Sequence, residues 1–199
     1  MYLSTSIFVD LSNIFYGAQD SVPRLSSLPI IRLKYDNLMK LALAGHPLDQ
    51  AVVVTTERVG NVAALDAAEK AGFHLLRSEP GAFTGRKQNV DERLQLEMYK
   101  AVAMRPPAQA VLLTGDGHRG RDADGGFIPA LRALATQGTR VELLAWRRCC
   151  SAALEAAVLE VGGIVNYLDT FLSAVTFEQA GRRAEPLNLR RRRHLPEAA

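Results

Sequence analysis

The chain is predicted to be an α/β domain built on a mainly parallel sheet. Two observations carry the prediction. Short runs rich in Val, Ile and Leu alternate along the sequence with stretches of helical periodicity, the pattern of strands linked by crossover helices. The apolar runs are also continuous rather than alternating, as in Ala51-Val52-Val53-Val54-Thr55 and Ala110-Val111-Leu112-Leu113-Thr114. Strands that read this way are covered on both faces. At 199 residues, one domain with extensions is expected, long enough to bury roughly 70% of its unfolded surface.

Taken in order, the first strand is expected at residues 3–9. Residues 28–44 carry spaced apolar positions (Ile30, Ile31, Leu33, Leu38, Leu41, Leu43) and predict a helix that stops at Gly45, with Pro47 just beyond. A strand at 51–55 follows, then an alanine-rich helix at 62–71 closed by Gly72, and a short strand at 73–76. Pro80, Gly81 and Gly85 mark residues 79–87 as loop. A helix at 90–104 ends before Pro106-Pro107, and a strand at 110–114 succeeds it. A helix at 127–135, a strand at 141–146, a helix at 151–161 and a strand at 164–168 complete the pattern. No internal repeat is visible.

The composition, 48% hydrophobic and 23% charged, is that of an ordinary soluble globular protein. No stretch approaches the roughly 20 apolar residues of a membrane span. No Lys or Arg precedes Arg24 and Asp10 breaks the early apolar run, so nothing resembles a signal peptide. The two cysteines, Cys149 and Cys150, are adjacent and read as reduced thiols, which predicts a cytoplasmic protein. Of the net charge of +3, +4 resides in the six arginines and two glutamates from Arg182 onward, leaving the body at −1. Arg190, Arg191, Arg192 and Arg193 form a block expected to be disordered. It reads either as a solubility tail or as an arm that tracks a phosphate backbone.

The chemistry concentrates in acids at strand ends. In Ile7-Phe8-Val9-Asp10-Leu11-Ser12-Asn13 an apolar run stops at Asp10. An unpaired carboxylate in the core costs several kcal/mol, so Asp10 belongs at the strand's carboxyl end, facing the crevice where α/β sheets bind ligands. Ser12 or Asn13 is then placed to cap the following helix. Asp116, in Thr114-Gly115-Asp116-Gly117, repeats the arrangement after a second buried strand. Asp91 opens the helix that begins at Val90, where Asn89 and Glu92 have capping-box spacing. Glu97 lies six residues on, about 120° around an ideal helix, and does not share its face. Three or four converging acids beside an Asn make an oxygen-ligand site suited to Mg²⁺ or Mn²⁺, which can hold a phosphodiester and activate water.

Val9-Asp10-x-x-Asn13, Val90-Asp91-x-x-Leu94-x-x-Glu97, Thr114-Gly115-Asp116-Gly117, Phe127-Ile128-Pro129-Ala130-Leu131 and Gly138-Thr139-Arg140-Val141-Glu142 occur in this order. Together they resemble the NYN domain, a branch of the PIN-like ribonucleases, over residues 3–170. The resemblance implies a PIN-like three-layer α/β/α sandwich at residues 1–170, with 171–199 as a C-terminal extension. It implies a Mg²⁺- or Mn²⁺-dependent endoribonuclease leaving 5′-phosphate and 3′-hydroxyl ends. Asp10, Asp91 and Asp116 match the family's acids, and Asn13 its polar partner. The chain departs from the pattern in three ways. Glu97 replaces the second-helix Asp, His118 replaces an acid, and the loop 118–126 is lengthened and carries Asp122 and Asp124. Glu97 and Asp124 are therefore further candidate metal ligands. Arg119, Arg121 and Arg190 to Arg193 are candidate RNA contacts without sequence readout. The rival function is an NYN module that binds RNA or a protein partner without cutting. The oligomeric state, a homodimer included, is left open.

Other chemistries lack their residues. Gly115-x-Gly117-x-x-Gly120 matches a dinucleotide fingerprint, but Gly120 opens no helix and Asp116 would face a pyrophosphate. No Gly-x-Ser-x-Gly or P-loop is present, Cys149-Cys150 lacks zinc spacing, and His46, His74, His118 and His194 are scattered. A haloacid-dehalogenase-like phosphatase needs a second acid two residues after Asp10, where Ser12 stands. Trp146-Arg147-Arg148 reads either as a base-stacking and phosphate-gripping element or as a partly buried Trp beside two solvated arginines.

Overall fold

A computed structural model describes residues 4–21, 31–56, 62–78, 90–116, 126–178 and 185–194. Its strands are β1 (Thr5–Asp10), β2 (Ile31–Leu33), β3 (Leu48–Thr56), β4 (His74–Ser78), β5 (Gln109–Leu113), β6 (Arg140–Ala145), β7 (Ile164–Tyr167) and β8 (Thr176–Glu178). Its helices are α1 (Leu11–Ser21), α2 (Tyr35–Leu43), α3 (Val62–Lys70), α4 (Val90–Met104), α5 (Ile128–Thr136), α6 (Ala152–Glu160) and α7 (Leu172–Val175). Six strands form one parallel sheet in the order β4-β3-β1-β5-β6-β7, and β2 pairs antiparallel with β8.

The continuous apolar strands are explained by helices on both faces. Ile7, Val9, Val53, Val111 and Leu113 pack with Leu11, Ile14, Leu38, Leu41 and Leu65 of α1 to α3. Their neighbours Phe8, Val52, Val54, Ala110 and Leu112 pack with Leu94, Met98, Leu131, Leu134, Leu154 and Val158 of α4 to α6. The result is a three-layer α/β/α sandwich, as expected of a PIN-like fold. Each of these large side chains, when fully buried, is worth about 1.5–3 kcal/mol. In α4 the buried positions Val90, Leu94, Met98 and Ala101 make one helical stripe.

The chain leaves β1 toward β3 and β4 on one side and later fills β5, β6 and β7 on the other. The strand order therefore reverses between β1 and β5. In an open α/β sheet the crevice beyond the carboxyl ends at such a reversal is the ligand site.

Two expectations are corrected. The helix expected over 28–44 is not continuous in its described part, 31–44: β2 precedes α2, with Lys34 between them. The partner strand β8 lies far along the sequence, and the Lys34 N–H donates to Val175 O at 2.8 Å. No local pattern contains that pairing.

The arginine block is also not a free tail. Arg192 is 4% exposed and its guanidinium enters the fold. Its Nε donates to Glu142 Oε1 at 3.0 Å and Nη2 donates to Ala42 O at 3.2 Å and to Glu142 Oε2. Glu142, fully buried in β6, also accepts from Gln109 Nε2 at 3.1 Å and Asn166 Nδ2 at 2.9 Å. The Arg193 N–H donates to Asn166 Oδ1 at 2.8 Å. A buried carboxylate needs a partner, and this chain supplies it from fifty residues downstream. The packed structure thus continues past residue 170 through α7, β8 and the segment 185–194.

Removing one partner of a buried ion pair costs about 3–5 kcal/mol, whereas well-packed apolar replacement of both is often neutral. Arg192→Ala should therefore lower the thermal midpoint by several degrees, and the double variant Glu142→Leu, Arg192→Met should recover much of it. An unchanged midpoint in Arg192→Ala would remove the strut. Burial pushes the Glu142 carboxyl up from 4.5 to about 7, against the pull of Arg192. A raised folded value favours the protonated fold, so this contribution is full below about pH 4.5 and is lost as pH rises through about 7. Glu142→Gln should flatten the stability profile across that window; an unaltered profile in urea titrations would assign the dependence elsewhere.

Candidate active site

At the reversal between β1 and β5, Asp10 ends its strand at 4% exposure. Its Oδ1 accepts the Asn13 N–H at 3.1 Å. Asp10 is therefore itself the cap of α1, the role expected of Ser12 or Asn13. The carboxylate gains the positive end of the helix for the same geometric reason. Its other oxygen, Oδ2, accepts from Thr114 Oγ1 at 3.5 Å, a long contact.

Asn13 is freed for a different task. Its Oδ1 accepts the Gly115 N–H at 2.7 Å and so ties α1 to the end of β5. Since an amide N–H must meet an oxygen, the carboxamide is oriented, and Nδ2 is its donor edge. Thr114 Oγ1 accepts the Asp116 N–H at 3.2 Å, so one hydroxyl joins the Asp10 carboxylate to the backbone of Asp116. Asp116 is partly exposed while Asp10 is not.

Gly115 is held from the other side by the segment after β6. The Ser151 N–H donates to Gly115 O at 2.8 Å. A Cβ at Gly115 would collide with the Cys149 carbonyl. This close approach explains the glycine between Thr114 and Asp116 better than a sharp turn does. Trp146 is completely buried, with its indole N–H donating to Ile14 O at 2.8 Å. It cannot stack a base.

The other predicted residues fall in different places. Asp91 occupies the first turn of α4 and is half-buried. A crossover helix runs against its strands, so this end of α4 lies at the carboxyl end of the sheet with Asp10 and Asp116. Glu97 is six residues down the helix, ~9 Å along its axis, and accepts from Lys100 Nζ at 2.8 Å. Arg190, Arg191 and Arg193 are exposed beside the Glu142 strut. Glu142 pairs in register with Val111, and Ile7 pairs with Val111 across β1. That level is three residues, ~10 Å, back from Asp10. The Glu142–Arg192 pair therefore sits in the body of the sheet and not at its carboxyl edge, Arg193 is held by Asn166 of β7, and Arg192 is withdrawn from RNA contact by its burial. Asp124, Arg119 and Arg121 lie outside the described residues.

Among the described residues no three His, Cys, Asp or Glu side chains converge to hold a metal ion. The expected set is thus not assembled: Asp10, Asp91 and Asp116 do not form a group of three, and the helix rise carries Glu97 along α4 toward Lys100. What remains suits a hard cation in another style. Mg²⁺ commonly takes one or two carboxylates from the protein and completes its octahedron with water and phosphate oxygens. Two coupled aspartates at a crevice offer that open platform. Sequence reasoning missed one group here. Ser12 Oγ, one residue from the Asn13 anchor, is buried with no hydrogen-bond partner. Such an orphan hydroxyl costs about 1–3 kcal/mol until a water or ligand oxygen meets it.

A family model of the NYN domain matches residues 4–160. No curated protein matches the sequence. Among solved structures, a protein of unknown function from Vibrio parahaemolyticus superposes with a TM-score of 0.57 at 14% identity, over 84% of this chain and 93% of that one. The likeness is one of fold. A ureidoglycine-glyoxylate aminotransferase from Bacillus subtilis matches at a TM-score of 0.32 and 16% identity, over 75% of this chain and 40% of its own, too weakly to carry an argument. With the family match spanning most of the sequence and the five ordered motifs inside it, the chain belongs to the NYN domain family.

Proposed function

We propose that this nuclease-like domain hydrolyses RNA phosphodiester bonds at the carboxyl ends of β1 and β5, with Mg²⁺ or Mn²⁺ as cofactor. The observation that supports the reading is the coupling of Asp10 to Asp116 through Thr114 at the reversal of strand order. Asp10 and Asp116 would hold the ion, with Asp91 at the head of α4 and Asp124 as further acids. The cofactor, when bound, supplies charge neutralisation of the scissile phosphate and a water acidic enough to act as nucleophile.

The chain's own residues do the positioning. Asp10 is fixed by its cap bond to Asn13 N–H and cannot swing. Asn13 presents Nδ2 as a donor for a phosphate oxygen or the attacking water, with its other edge spent on Gly115. Preorganised donors of this kind stabilise developing charge without reorganising.

The test is calorimetric titration of Mn²⁺ and Mg²⁺ into the protein and into Asp116→Asn, with and without a phosphorothioate-linked RNA. A cleavage assay on ordinary RNA runs alongside. Metal binding and cleavage should both be lost in the variant, and wild-type products should carry 5′-phosphates. RNA binding without metal binding or cleavage in the wild type would make the protein a non-cleaving NYN module. Asp10→Asn should keep the helix cap, shift stability by about 1 kcal/mol or less, and lose cleavage. Asn13→Ala strands the buried Gly115 N–H and should cost about 1–3 kcal/mol as well as slowing turnover. Retained cleavage by Asp10→Asn at the wild-type rate would exclude its carboxylate from the chemistry.

A further inference from the structure

We propose that Arg147 is a phosphate clamp that holds single-stranded RNA against the Asp10–Asp116 site, a role that rests on the nuclease reading above.

The need for such a group is electrostatic. A mouth built of aspartates repels a polyanion, and Arg192 of the arginine block is already consumed by the buried Glu142. A cation near the site must offset that repulsion. Arg147 is exposed and begins a short 3₁₀ turn, Arg147–Cys149, directly after β6 and Trp146. In the β5–β6 ladder Leu113 is level with Leu144. Beyond the strands the turn closes on β5, with the Cys149 carbonyl and the Ser151 N–H against Gly115, the residue before Asp116, while the guanidinium leans toward β7, two strand spacings of ~4.8 Å each from β5.

The side chain is also prepared for a ligand. Its guanidinium lies 3.7 Å over the ring of Tyr167, at the end of β7. The ring is itself fixed, with Tyr167 Oη donating to Glu155 Oε1 at 2.6 Å. The backbone N–H of Arg147 donates to Asp169 Oδ2 at 2.8 Å. The turn is pinned on its far side by Trp146 against Ile14 and by Arg148 Nη1 donating to Asp20 O at 3.3 Å. Among the described residues no hydrogen bond or ion pair engages the guanidinium N–H groups. Stacking has therefore ordered a planar fork whose donors are unspent. That is the geometry that recognises phosphate in two-point fashion, at less entropic cost than a free lysine. The opposite face of the guanidinium remains able to stack a base.

The experiment uses the full-length protein and a short fluorescein-labelled oligouridylate, with anisotropy read across a salt series in EDTA. Loss of one phosphate contact should weaken binding about tenfold, or about 1.4 kcal/mol, in Arg147→Ala, and lower the log–log salt slope by about 0.7. Arg147→Lys should restore the slope but only part of the affinity. In the metal-loaded cleavage assay Arg147→Ala should raise KM and leave kcat within about twofold, the mark of uniform binding. Wild-type affinity and slope in Arg147→Ala, a fall in kcat at constant KM, or no binding of the oligouridylate by the wild type would each overturn the clamp. The outcomes separate the two readings. Weakened binding in Arg147→Ala with no cleavage by the wild type would keep the clamp and sink the hydrolysis. Cleavage abolished by Asp116→Asn but indifferent to Arg147→Ala would do the reverse.

Discussion

The 2.7 Å hydrogen bond from the Gly115 N–H to Asn13 Oδ1 crosses the seam where the sheet changes direction. On one side stand β1 and α1, capped by Asp10; on the other stands the end of β5, with Thr114 and Asp116. The same glycine is braced from behind by Ser151 N–H and by the Cys149 carbonyl, which leaves no room for a side chain. Three segments distant in sequence are thus fastened at one residue. The two aspartates consequently share a rigid frame. A polar web of this kind resists relative motion of the strand ends that carry them.

Glu142 presents the same physical problem at another level of the sheet and receives the opposite solution. Asp10 sits at a strand end, where a helix N-terminus and a crevice can serve its charge. Glu142 sits inside a strand, buried on all sides, and is served by an internal cation, Arg192. The consequence for function is a division of charge. The residues that raise the pI to about 9.0 include an arginine consumed by architecture, with its neighbours held beside it. Net charge therefore says little about where a polyanion would lie on this protein, because part of it is spent inside the fold.

Much of the architecture was legible because it rests on burial. Strands covered on both faces announce themselves as continuous apolar runs, and α4 spans Val90–Met104 just as its stripe and the following prolines indicate. Asp10 and Asp116 were legible for the complementary reason, that an acid ending an apolar run has few places to go. What escaped depended on partners remote in sequence. The β2 strand exists because residues 176–178 pair with it. Arg192 packs because Glu142 demands it, and the signal was present: Val141-Glu142-Leu143 puts an acid at mid-strand, where only a buried cation could satisfy it. Glu97 matched a motif position, yet helix geometry carries it along the axis to Lys100. Trp146 and Arg147 are neighbours with contrary fates, one sealed against Ile14 and the other laid on Tyr167. No pattern in the three residues Trp-Arg-Arg distinguishes them.

An open acidic platform has a thermodynamic consequence that a closed cage lacks. A cage satisfies a cation by itself and binds it whether or not substrate is present. Two aspartates leave most of an octahedron to water and phosphate, so on the proposed reading part of the cation's shell arrives with the RNA. Each ligand then raises the affinity for the other by the same factor. The acids alone repel RNA, and the cation alone is held by too few oxygens. On the same reading, a fixed guanidinium at the same end of the sheet would shift this balance, because it would bring the phosphate in before the cation has neutralised the site. In that proposed arrangement Asp10 and Asp116 would select the cation and Arg147 the phosphate, with the frame around Gly115 holding the strand ends that carry them.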